Sequence, residues 1–413
     1  MSKIPLASTG LRPKDITAAI SVLNSNNLTM GSKVREFEQA MADYLKVDYF
    51  IMVNSGSSAN LLIFEALIRP SDGKPLLNEG DGVLVPAVAW PTTIWPIIQL
   101  GLRPIFVDVN PDTLTIDLSL AQGFIGSEHN IRAIFPIHSL GYGINHDLLN
   151  EFCAKNDLIQ INDVCEALGS WRQGIHAGTT GVASSFSFYF SHHITTMEGG
   201  GVATNDPKIA DDLRAMRSHG WSRDRSDAKI WADKYNHNLV TKSISQNQLK
   251  FQFVTTGYNL RPMEIQAAIG IEQLSDLDSF IIKRREIAKQ IKVMLKRTIF
   301  TLVDGGSLSS AENEEHHSWM FLCIKVNKPL TPSLRKKLDY LLESYEIESR
   351  PVLTGNFLEQ PVMRLFDNLP ASSDFPIANL VSTNYFMVSA HHDLSDAQIE
   401  YMGSSLISIA NQL

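Results

Sequence analysis

Tyr49-Phe-Ile-Met-Val-Asn-Ser-Gly-Ser-Ser58 is an unbroken apolar run that passes straight into a small polar turn. A helical pattern follows, with Leu61, Phe64 and Ile68 on one face. Strand, small turn and helix together present free backbone N–H groups and the positive end of a helix dipole to an anion. Outward from this stretch the same grammar repeats. Residues 82–86, 104–108, 132–137 and 158–162 read as strands, with helical patterns at 95–100 and 147–156 between them. Short, fully apolar strands alternating with helices predict an α/β fold on a mainly parallel sheet covered on both faces. Sites in such sheets lie at the carboxyl ends of the strands. Small or polar clusters fall there at 54–58, 86–93, 138–141 and 163–166.

Upstream, residues 13–23 and 32–45 read as helices joined by an Asn-rich loop. Downstream, 221–256 shows no clear period and predicts a long surface excursion of the kind that is usually functional or mobile. Pro262 is placed to open a long helix running past Arg285, and apolar strands mixed with charged helices follow from about residue 315. A chain of 413 residues exceeds a single ordinary core. The expected division is 1–261, a large cofactor-binding domain, and 262–413, a linking helix with a small C-terminal α+β domain.

The formal charge is −8, and no basic block appears. That argues against nucleic acid or an acidic membrane surface as the main partner. Cys153, Cys165 and Cys323 are dispersed, forming neither a disulfide framework nor a metal motif. No metal site is therefore expected. The N-terminus lacks a signal peptide's apolar core, and no apolar run approaches the ~20 residues of a membrane span. The expectation is a cytoplasmic protein.

Taken one at a time, the strand-end residues leave alternatives open. Gly56, Ser57 and Ser58 either cradle a phosphate or make an ordinary turn and N-cap. Asp163 is either a cap or the partner of a cationic ring nitrogen. Trp90 either stacks on a ring or fills the core. The second decisive stretch is Ser184-Ser-Phe-Ser-Phe-Tyr-Phe-Ser-His-His-Ile-Thr-Thr-Met-Glu-Gly-Gly-Gly201. It begins as an alternating strand, turns at two adjacent histidines, and resumes as Val202-Ala-Thr204.

The order of these pieces resembles the fold-type-I pyridoxal phosphate enzymes, and among them the DegT-like nucleotide-sugar aminotransferase family. The resemblance runs along nearly the whole chain: Phe37-Glu38, residues 54–59, Val85-Pro-Ala-Val-Ala-Trp90, Val107-Asp108, Pro136-Ile-His-Ser-Leu-Gly141, Asp163-Val-Cys-Glu166, Ser187–Gly200, Gly257-Tyr-Asn-Leu-Arg261 and Ser349-Arg-Pro351. It implies a seven-stranded, mainly parallel sheet, with Ser57, Ser58 and Ser187 on the cofactor phosphate and Asn259 joining them from the partner subunit of a homodimer. Asp163 would pair with the pyridine nitrogen, Glu166 would lie near the ring hydroxyl, and Trp90 would cover the ring. His219, Arg261 and Arg350 become candidates for substrate binding, the two arginines having structural ion pairs as their alternative.

One position departs from the aminotransferase pattern. Five residues after Ser187, where the family's cofactor-anchoring lysine belongs, the chain has His192, and no lysine occurs from Asn156 to Pro207. Imidazole forms no stable imine but moves protons near neutral pH. The flanking residues, His193 and Met197 among them, resemble the lysine-less 3-dehydratase branch of colitose type. That implies pyridoxal/pyridoxamine phosphate as cofactor, glutamate as amino donor, and a nucleotide-linked 4-keto-6-deoxy sugar, with GDP favoured over CDP because three cysteines suit no iron–sulfur cluster. His193 is read as support for its neighbour or as a turn residue. An aminotransferase with its lysine replaced, and a non-catalytic binding homologue, are the competing expectations.

Overall fold

A computed structural model describes residues 3–7, 10–127, 129–238, 251–310 and 312–413. Seven short strands form the main sheet: β1 Tyr49–Val53, β2 Gly82–Pro86, β3 Arg103–Val107, β4 Ile131–Ile134, β5 Ile159–Asp163, β6 Ala183–Ser187 and β7 Gly200–Thr204. Their order is β1-β7-β6-β5-β4-β2-β3. All pairs are parallel except those made by β7, which runs antiparallel to both β1 and β6. Both faces are covered, so every residue of β2 and β7 is buried. This explains continuous apolar runs in place of alternation.

The antiparallel β7 has a direct effect on the site. Because β6 and β7 are sequence neighbours of opposite sense, the turn 188–199 stays at the carboxyl edge of the parallel strands. Glycines make β7 fit there: a Cβ at Gly200 would come within 2.4 Å of the Ser55 carbonyl carbon, and one at Gly201 within 2.2 Å of the Phe50 ring. No other residue leaves room for the backbone of the 55–56 turn.

A second, antiparallel sheet is built from β8 Phe300–Leu302, β9 Phe321–Val326 and β10 Tyr385–Ser389. One apolar core packs Ile287, Ile291, Phe386 and Val388 behind it. Its other side, through Phe321, Cys323, Tyr385 and Met387, joins the core of the main sheet.

Two expectations are corrected. The helix expected from Pro262 begins at Glu264 and is two helices, Glu264–Leu274 and Leu277–Leu295. Met263 is extended and its N–H donates to Gln266 Oε1 at 2.8 Å, which places Pro262 outside the helix. The break falls where the N-terminal segment crosses: Arg12 donates to Glu272 O at 3.1 Å and reaches Asp276, while Gln273 Nε2 donates to Gly10 O. Within 221–256, residues Ala228–Asn238 form a helix rather than an irregular excursion. It is polar nearly all round, so it carries no apolar period. Asp227 at its start holds it by accepting from Trp231 Nε1 at 3.1 Å. Residues 239–250 lie outside the described residues.

Burial also sets an acid limit on stability. Burial lowers His138 to about 4 and His176 and His317 to about 3. These rings stay neutral in the fold, whereas an unfolded histidine titrates near 6.5. Below that value the unfolded chain binds more protons, so stability falls with pH by about 1.4 kcal/mol per histidine per pH unit until the folded values are reached. Thermal melts are expected to be level above pH 7 and to drop steeply between about 6.5 and 4. A melting temperature unchanged down to pH 5 would contradict neutral buried rings.

Candidate active site

The carboxyl ends of β1, β5 and β6 and the residues beyond β2 open onto one cavity of about 250 Å³, which Met320, Phe321, Arg350, Leu353 and Met387 of the second sheet region close from the other side. The helix Gly56–Ile68 points its N-terminus into it. Ser55 caps that helix by accepting from Ser58 N at 3.1 Å, and the Ser58 hydroxyl accepts from the Ser55 hydroxyl at 2.9 Å. Ser58 is thereby turned to the cap and does not line the cavity, while Gly56 and Ser57 do. Gly56 allows Ser187 to close in: a Cβ at residue 56 would lie 2.6 Å from Ser187 Cβ.

Asp163, at the end of β5, is buried and fully engaged at its base. Its Oδ2 accepts from Thr93 Oγ1 at 2.7 Å and Asn60 Nδ2 at 3.0 Å, and its Oδ1 from Cys165 N at 3.1 Å. Three donors hold the carboxylate in one orientation at the cavity wall. Glu166 accepts from Leu140 N at 2.8 Å, and burial pushes its carboxyl up to about 7. Trp90 precedes the helix Pro91–Gln99, lines the cavity and is 44% exposed, so it does not fill the core.

His192 sits opposite Asp163 across the turn. Its Nδ1 lies 2.6 Å from the Cys165 carbonyl. A carbonyl only accepts, so Nδ1 carries the hydrogen and Nε2 keeps its lone pair. Burial lowers this imidazole to about 4, with Arg284 and Arg350 adding to the effect against the Cys165 carbonyl and Asp163. The ring is a neutral base with one open nitrogen. His193 points the other way and is buried, its Nε2 3.2 Å from the Ser318 carbonyl.

The structure thus brings together Gly56, Ser57, Trp90, Asp163, Glu166, Ser187, His192 and Arg350 around one cavity. Asn259, Arg261 and His219 do not line it. They cluster elsewhere, with Arg261 Nε donating to Asn259 Oδ1 at 3.1 Å and His219 N to Tyr258 O at 2.7 Å. Sequence reasoning missed Asn60, Thr93 and the Cys165 carbonyl. Asn60 carried a usable signal: with Glu65 it is one of two large polar residues buried in an otherwise apolar helix.

Fold and site together define an enzyme of the aminotransferase fold with a histidine, His192, in the turn that lines its cavity. The chain belongs to the DegT/DnrJ/EryC1/StrS aminotransferase family, whose profile matches residues 11–407. Within it, the chain is 37% identical over 404 residues to GDP-4-keto-6-deoxy-D-mannose 3-dehydratase of Escherichia coli O55:H7, covering 97% of this chain and 99% of that one. It is 36% identical to the enzyme of the same name from Yersinia pseudotuberculosis, covering 96% of each. A crystal structure of GDP-4-keto-6-deoxymannose-3-dehydratase with a trapped PLP-glutamate geminal diamine superposes with a TM-score of 0.84 at 34% identity, covering 98% of this chain and all of that one.

Proposed function

We propose that this protein removes the C-3 hydroxyl of a GDP-linked 4-keto-6-deoxy sugar, using pyridoxamine phosphate regenerated with glutamate. The observation that carries this reading is His192: an imidazole with Nδ1–H tied to a carbonyl and Nε2 open, in a cavity that no lysine lines among the described residues.

The residues fit the cofactor. A buried carboxylate faces the cavity, a helix N-terminus opens beside Ser187, and an exposed indole flanks both. When bound, the cofactor supplies an amine for the C-4 ketone and a ring that spreads the charge left by proton removal. Gly56 and Ser57 at the helix end, with Ser187, would hold the phosphate. Asp163 would favour a proton on the ring nitrogen, Trp90 would cover the ring face, and Glu166, near half-ionised at neutral pH, would share a proton with the ring hydroxyl. His192 Nε2 would take the methylene proton and return one to the departing C-3 hydroxyl. Its low proton affinity makes the imidazolium a strong acid for that second step. In balance, the sugar loses one oxygen, glutamate leaves as its keto acid, and nitrogen leaves as ammonia.

Arg350, exposed at the rim with no ion pair among the described residues, is suited to an anionic part of the substrate. We infer further that Asn259, His219 and Arg261 serve the cavity of a partner subunit in a homodimer, with Ser58 acting there through the Ser55 cap. Residues 1–261 and 262–413 would be the two domains, and a reducing cytoplasm suits three free cysteines. No helix of the described residues is long and apolar enough to cross a membrane.

The test is incubation with pyridoxamine phosphate, glutamate and GDP-4-keto-6-deoxymannose, followed by mass analysis of the sugar. The expected product is lighter by one oxygen and keeps its ketone. A 4-amino sugar would overturn the reading. His192→Lys is expected to create a covalent lysine–cofactor bond, seen as a new visible absorption band, and to abolish dehydration.

A further inference from the structure

Behind the two histidines lies a guanidinium that the chemistry above does not use. Arg284, in the helix Leu277–Leu295, is 1% exposed. Its Nη1 donates to the carbonyls of Trp319 at 3.0 Å and Met320 at 2.9 Å, while Nε and Nη2 have no hydrogen-bond partner. A buried arginine so sparsely satisfied is costly. It lies beside a segment that is itself strained: Trp319, fully buried, has φ of 56°, a region that bulky side chains rarely enter.

Several contacts converge on that segment. His317 stacks on the Trp319 ring at 3.8 Å and its Nδ1 accepts from Trp319 N at 3.0 Å. Ser318 N donates to Gly141 O, and Met320 N to Leu140 O, the residue whose own N–H holds Glu166. The Ser318 carbonyl receives His193 Nε2. Met320 and Phe321 then line the cavity. One segment therefore joins Arg284, His193, Glu166 and the cavity wall.

We propose that Arg284 is a positioning residue for His192: it pins the 318–320 segment, left-handed at Trp319, against His193 and sets a positive charge behind the histidine pair. The pinning fixes the turn from which His192 projects. The charge lowers the proton affinity of the imidazole, which strengthens its imidazolium as the acid that protonates the departing hydroxyl. Groups facing Arg284 are His192 and His193 on the turn and His391, His392 and Asp393 from the segment after β10; Asp393 is the carboxylate acting on it, from beyond hydrogen-bond reach. His192 in turn faces Asp163 and Arg350.

This inference rests on His192 being the base, and the test separates the two. The ring nitrogens of His192 are titrated by NMR in cofactor-free protein, with the signal identified by its loss in His192→Asn. Arg284→Met is expected to raise the His192 midpoint by about one pH unit and to lower turnover by about 10- to 100-fold, with the KM for the sugar changed less than about threefold. Arg284→Lys keeps the charge but not the planar fork. It should hold the midpoint and lose about fivefold or more in turnover. A midpoint and turnover unchanged in Arg284→Met would overturn the proposal. Should that variant not fold, wild-type turnover in Arg284→Lys would overturn it and a lowered turnover at unchanged midpoint would support it. Absence of dehydration by the unaltered protein would sink the dehydratase reading while leaving the titration comparison decisive for Arg284.

Discussion

His192→Asn is expected to lower turnover by about 10²- to 10⁴-fold, the range typical of losing a positioned general base. Asparagine is similar in reach, and its amide can still donate to the Cys165 carbonyl that now receives Nδ1–H. What it lacks is a second nitrogen with a lone pair and a usable proton affinity. The loss should therefore fall on turnover, with the KM for the nucleotide sugar and the dissociation constant of the cofactor within a few-fold of the unaltered protein. Because burial holds the free imidazole near 4, the ring stays neutral wherever the fold is stable, so the loss of turnover in the asparagine variant should be the same across about pH 6.5 to 8. Full activity in His192→Asn would remove His192 from the chemistry.

Asp163→Ala is expected to damage both stability and turnover. The carboxylate now satisfies Thr93 Oγ1, Asn60 Nδ2 and Cys165 N in a buried setting. Leaving buried donors without an acceptor costs about 1–3 kcal/mol for each one stranded, so a loss of roughly 3 kcal/mol or more in urea unfolding is expected. Turnover should fall by about 10²- to 10³-fold as the fixed charge disappears from the cavity. Asp163→Asn separates the two effects. It keeps an oxygen for Cys165 N and nearly the same volume, so its stability should recover in part while its turnover stays low. Wild-type turnover in Asp163→Asn would show that the negative charge is not needed.

The sheet was readable in advance because its strands are buried on both faces. Runs such as Tyr49–Val53 and Gly82–Pro86 contain little but apolar residues, and their boundaries emerge as expected. The opposite sense of β7 was not readable, since Gly200–Thr204 looks like any short strand and its direction depends on partners 147 to 155 residues away in β1. At the site, side chains that face the cavity were legible as types: Asp163, Glu166, Ser187 and His192 all line it. What escaped was contact made through main chain or across long separations. Thr93 meets Asp163 over 70 positions, and Arg284 sits in a Lys-Arg-Arg run that reads as a solvated helix face although its middle member is buried. Ser58 illustrates a local ambiguity: as the third residue of the helix it could face a ligand or its cap, and it faces the cap.

The hydrogen bond from His192 to residue 165 ends on a backbone carbonyl, not on the thiol. Every amino acid carries that oxygen, so the side chain at 165 can drift without altering which ring nitrogen of His192 is available. The tautomer is inherited with the fold of the turn rather than with any one codon. The opposite holds at 192: on the function proposed above, a change from imidazole to ammonium would exchange a proton carrier for a covalent anchor, so the side chain there, and not only the backbone, would decide the chemistry.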